Sequence, residues 1–144
     1  MREGDSTQGW CCLRLRFEER ELELIRGAER LRGTALARTP RSDVLRTALS
    51  LAKAGHKIGA STAGSSVSLE ETEVSLLLDA LRFASQEVQW ATRAQNGQSG
   101  QEAERYEAVL SAFPELVQKG VWRSFGLARE LDGVAVRLQT ALKG

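Results

Sequence analysis

Several ingredients of common catalytic and structural sites are scarce in this chain. Histidine occurs once, at His56, and cysteine twice, at the adjacent positions Cys11 and Cys12. Adjacent cysteines cannot staple separated parts of a fold, and they lack the ligand spacing of a zinc site. As neighbours on a strand, one thiol is expected to pack inward and the other to face out. His56 lies in Ala54-Gly55-His56-Lys57 with no acidic neighbour to orient it, which argues against a Cys–His catalytic pair. There is also no run of about eighteen apolar residues to cross a bilayer, and Met1 to Gly9 lacks the apolar stretch of a signal peptide. The resulting expectation is a cytoplasmic protein without membrane contact, metal or cofactor.

Catalytic constellations are missing as well: no nucleophile stands beside a base, and no carboxylates are paired in a way that suggests a pocket. Glu70, Glu71 and Glu73 read as first-turn charges that favour a helix N-terminus, and Glu102, Glu104 and Glu107 as a solvated face. An enzyme is therefore not expected. What is present is ordinary globular material, 42% hydrophobic and 27% charged over 144 residues, enough for one compact domain or two small ones.

The net charge of +1 conceals an uneven distribution. Residues 1–60 hold twelve Lys/Arg against eight Asp/Glu, whereas residues 61–144 hold eight against eleven. Arg30, Arg32, Arg38, Arg41 and Arg46 crowd one short region of the basic half, which is where a polyanion would sit.

Hydrophobic periodicity divides the chain into a flexible N-terminus (1–10), a strand and two helices (11–55), a Gly/Ser/Ala-rich linker (56–68) and an all-helical region (69–144). From Cys11 to Phe17 the pattern alternates, with Leu13, Leu15 and Phe17 on one face and Cys12, Arg14 and Arg16 on the other. From Glu18 the spacing becomes helical through Leu22, Ile25, Ala28 and Leu31, and Gly33 offers a stop before a loop from Thr34 to Arg38. Thr39 then caps a second helix with Pro40 in its first position, and Val44, Leu45, Ala48, Leu49 and Ala52 form its apolar face. Ser68-Leu69-Glu70-Glu71 matches a capping box before a long helix through Val74, Leu77, Leu78, Leu81, Ala84, Val88 and Ala91. Two further helices are expected, one from about Ala103 to Phe113 and one from Trp122 to Leu142, with Trp90, Trp122 and Phe125 as core aromatics.

The strand, the acidic-start helix and the stretch Pro40-Arg41-Ser42-Asp43-Val44-Leu45-Arg46-Thr47-Ala48-Leu49 together resemble the ribbon-helix-helix family of DNA-binding proteins. The resemblance runs from Cys12 to about Lys53. It implies a mainly α protein whose N-terminal module pairs strands antiparallel with a second copy and lays the ribbon in a DNA major groove. Cys12, Arg14 and Arg16 would then contact base edges, while Arg41 and Ser42 at the start of the second helix, with Arg46 and Arg38 nearby, would contact phosphate.

On this reading the chain is a homodimeric or larger DNA-binding regulator, a repressor or a plasmid or phage accessory factor. The rival is an antitoxin-like or adaptor module that binds a protein partner through residues 69–144. One strand and two helices cannot bury enough apolar area alone, so they need either a second copy or the C-terminal half.

Overall fold

The computed structural model describes residues 12–39, 41–94 and 100–143, and for 117–125 it describes the backbone alone. Along the chain the elements are strand β1 (Cys12–Arg16), helices α1 (Glu19–Ala37) and α2 (Ser42–Gly59), strand β2 (Ser66–Glu70), and helices α3 (Glu71–Ala94), α4 (Gln101–Ala112) and α5 (Glu115–Lys143). The fold is mainly helical, with a small two-stranded antiparallel sheet.

β1 forms where the alternation places it. Leu13 and Leu15 are half-buried, Cys12, Arg14 and Arg16 are exposed, and Phe17 just beyond the strand is buried. The turn into α1 is secured by the Glu18 N–H, which donates to Glu21 Oε1 at 2.9 Å. α1 does not stop at Gly33; it continues to Ala37 and buries Leu36. A helical glycine costs about 1 kcal/mol relative to alanine, and the extra turn offsets this by covering Leu36. The link to α2 is correspondingly short, and the residue flanking that helix is Arg41 rather than Thr39, while Pro40 lies outside the described residues.

Residues 56–68, expected as a linker, instead contain the end of α2 and most of β2. Ile58 is buried in the core, and Val67 and Leu69 point inward while Ser66, Ser68 and Glu70 stay exposed. The reversal between the two elements uses Gly64 at φ 82°, a left-handed conformation that suits glycine. Its N–H donates to the Phe17 carbonyl at 3.0 Å. β1 and β2 then run antiparallel, with Arg14 opposite Ser68, Arg16 opposite Ser66 and Cys12 opposite Glu70. The strand that pairs with β1 therefore belongs to the same chain. Ser68, expected as a helix cap, is a strand residue, and the reach back from Glu73 to the Glu70 N–H at 2.8 Å opens α3 two residues later than expected.

α3 lies at the centre of the packing and contacts α1, α2, α4, α5 and β2. Its predicted stripe is buried throughout, from Val74 to Ala91. The apolar surface that a strand and two helices cannot cover alone is thus covered by helices of the same chain, and one hydrophobic cluster joins Phe17, Ile25, Leu51, Leu69, Leu81 and Leu131. Gly27 permits the close approach of α1 to the end of α4, since a Cβ there would lie 2.5 Å from Phe113 Cε1. α5 is longer than expected: it starts at Glu115, directly after Pro114, and runs through Gly120, Gly126 and Gly133. The side chains of Trp122 and Phe125 lie outside the described residues.

Candidate nucleic-acid interface

The β1–β2 ribbon has two chemically different faces. Leu13, Leu15, Val67 and Leu69 turn toward the core, and Cys12, Arg14, Arg16, Ser66, Ser68 and Glu70 turn outward. Arg16 Nε lies 3.5 Å from Ser66 Oγ, a long contact across the ribbon. The Arg14 side chain makes no hydrogen bond or ion pair among the described residues. Arg137 of α5 adds a third guanidinium at the Arg16 end: it donates to the Arg16 carbonyl, pairs with Glu21 and stands 5.4 Å from the centre of the Phe17 ring.

The opposite end of the ribbon is acidic, with Glu70 and Glu73 against the single cation Lys57. There Lys57 Nζ donates to Glu73 Oε1 at 2.8 Å, and the Glu70 N–H donates to the same oxygen. Glu73 is buried, so the ammonium compensates a carboxylate removed from water. The hydrogen bond to Glu73 outweighs desolvation and holds the Lys57 ammonium above the ordinary lysine value.

The second group of expected contacts sits elsewhere. Glu29 of α1 lies against Gly55 of α2, and Arg26 donates to the Ile58 and Ser61 carbonyls, so α1 and α2 form an antiparallel hairpin. The ribbon follows the C-terminal end of α2, whereas Arg38, Arg41 and Ser42 lie at its other end. As an 18-residue helix, α2 is about 27 Å long. The structure places Arg14 and Arg16 on one face of the ribbon, Arg38, Arg41 and Ser42 at the opposite end of α2, and Arg46 one turn further along that helix.

At that far end Arg41 is engaged locally, donating to Asp43 Oδ1 at 3.3 Å and Oδ2 at 3.0 Å. This contact holds the Asp43 carboxyl below its usual range. Arg38 reaches the Glu104 carbonyl at 3.5 Å. Arg46 is exposed and has no ion pair among the described residues.

The apolar face expected of α2 is divided. Val44 and Ala48 pack against the core, but Leu45 is 46% exposed and Leu49 72% exposed. In the region from residue 69 onward, Val136 is the strongly exposed large apolar side chain among the described residues. Trp90, expected in the core, is half-buried at its rim, where Arg105 covers its ring at 3.8 Å and Tyr106 meets it edge-on at 6.5 Å. Arg105 in turn clasps buried Glu87 with contacts of 2.8 and 2.6 Å.

Cys12 is exposed, while Cys11 lies outside the described residues. Among the described residues no cluster of His, Cys, Asp and Glu has the makings of a metal site, and no helix is long and apolar enough to cross a membrane.

Sequence reasoning missed Ser66 and Ser68 as outward ribbon residues, although Ser66-Val67-Ser68-Leu69-Glu70 carries the same period of two as β1. Arg137 carried no local signal, because only the packing of α5 against the start of α1 brings it to Arg16. The chain matches no protein-family model, no curated protein and no solved structure.

Proposed function

We propose that the chain binds double-stranded DNA by laying the outward face of the β1–β2 ribbon in the major groove. The observation that carries this reading is the pair Arg14 and Arg16, exposed on a two-stranded antiparallel ribbon whose other face is anchored in the core. A major groove admits a two-stranded ribbon, and an arginine can donate bidentately to guanine O6 and N7. Ser66 and Ser68 stand opposite the two arginines and add short hydroxyls that can donate or accept. Arg14 would enter the groove without first breaking an ion pair among the described residues.

The ribbon is complete within one chain, so this reading requires no second copy. Arg14 and Arg16 carry base readout, and Cys12 is their outward neighbour at the Glu70 end, where base contact would be weaker. Arg38, Arg41, Ser42 and Arg46, at and near the other end of α2, are not part of this base-reading face. A protein that reads sequence in this way would act as a regulator by occupying its site.

The test is a titration of labelled duplexes, a randomised pool followed by any enriched sequence and its scramble, at two salt concentrations. Affinity is expected to fall as salt rises. Arg14→Ala combined with Arg16→Ala should abolish discrimination between the enriched site and the scramble, each lost bidentate contact accounting for about 1–3 kcal/mol of preference. A double variant that keeps the wild-type preference would defeat the readout assignment.

A further inference from the structure

Among the described residues, the outer face of α2 is the one place where large apolar side chains stand exposed one helical turn apart. Leu45 and Leu49 are at i and i+4, and exposed Ala52 continues the stripe at i+7. Beside them run Arg46 and Lys53, both exposed and neither ion-paired among the described residues, while the only acid of α2, Asp43, is held by Arg41. The opposite side of the same helix is fixed by buried Leu51, Ala54 and Ile58, so the stripe cannot turn inward without unpacking the hairpin.

We propose that this face docks an acidic amphipathic helix of a partner protein, with apolar side chains on Leu45, Leu49 and Ala52 and carboxylates on Arg46 and Lys53. Anchors at i, i+4 and i+7 are the spacing by which one helix reads another. Charge complementarity selects the occupant. Two copies of this face would bring Arg46 and Lys53 of each chain toward like charges, which disfavours self-pairing through it. Duplex DNA would satisfy the cations but leave both leucines against phosphate and sugar. A lipid surface would find two leucines and an alanine on a helix rigidly held from behind, too little apolar surface for anchoring. An acidic helix satisfies both the apolar and the basic rows. The ribbon plays no part in this contact, so the proposal stands apart from DNA binding.

The experiment uses the full chain and two labelled synthetic 18-residue helical peptides, each with leucines at i, i+4, i+7 and i+11, one flanked by glutamates and the other by lysines. Fluorescence anisotropy should show saturable binding of the acidic peptide and at least a tenfold weaker response to the lysine peptide. Leu49→Ser and, separately, Arg46→Glu with Lys53→Glu should each weaken the acidic peptide at least tenfold. Leu49, Arg46 and Lys53 are exposed, and unchanged circular dichroism checks that each variant folds. The proposal is overturned if the acidic peptide does not bind, if the α2 variants leave its affinity unchanged, or if the two peptides bind alike. It is equally overturned if sedimentation shows a dimer that Leu49→Ser dissolves, or if anionic vesicles or duplex DNA occupy the face in preference to the acidic peptide.

Discussion

In α3 the apolar repeat Val74, Leu77, Leu81, Ala84 and Val88 is buried along its length, whereas in α2 the repeat Val44, Leu45, Ala48, Leu49 and Ala52 is split between packed and exposed positions. The two helices read alike in sequence because periodicity reports that an apolar face exists, not how much of it a neighbour covers. α3 is surrounded by α1, α2, α4 and α5, while α2 packs on α1, α3 and β2 and leaves its outer side open. Leucines on the first helix hold the fold together. Those on the outer side of the second are available for contact with something else.

Truncating one leucine in each helix should therefore have very different effects. Leu81→Ala removes a fully buried side chain from the centre of the core and should cost about 2–5 kcal/mol in a denaturant melt. A loss below about 1 kcal/mol would mean that α3 is not the central packing element.

A second, intermediate effect is expected where α2 meets α3 through Lys57 and Glu73. Lys57→Met leaves the buried Glu73 carboxylate without its cation and should cost roughly 2 kcal/mol, less than the 3–5 of a fully buried pair because Lys57 is partly solvated. Because Glu73 raises the folded-state pKa of Lys57, the folded protein holds that proton more tightly than the unfolded chain does. The stabilisation is therefore fully present below the ordinary lysine value of about 10.5 and is lost as pH climbs through the folded value. A stability profile of the wild type should fall more steeply above that pH than one of Lys57→Met. Parallel profiles would remove the pair from the account.

The smallest effect belongs to α2's exposed side. Leu49→Ser should change stability by no more than about 0.5 kcal/mol, the usual range for surface substitutions. A large loss would show that the stripe is buried in solution.

Much of the fold was legible from the residues. β1, the start of α1, the stripe of α3 and the helical character of the second half follow from period two giving way to period 3.6. What was misjudged follows from context. Gly33 signals a stop only if nothing beyond it is worth burying, and Leu36 is. Residues 56–68 look structureless because serine, glycine and alanine dilute the pattern, yet Ile58, Val67 and Leu69 are enough to tie them to the core.

The candidate site was half legible. The outward register of Cys12, Arg14 and Arg16 is seen, but their company is not, because Ser66, Ser68 and Arg137 arrive through β2 pairing and α5 packing over separations of fifty residues and more. The grouping of Arg38, Arg41, Ser42 and Arg46 with the ribbon is an arrangement between elements, which periodicity within each one cannot specify.

Whether the ribbon reads DNA is decided by mapping backbone amide chemical shifts of the full chain while a duplex is added at low salt. The largest changes are expected at residues 12–16 and 66–70, and they should disappear in the Arg14→Ala, Arg16→Ala double variant. Shifts confined to residues 42–53 of α2, or no shifts at any duplex concentration, would contradict the ribbon's role.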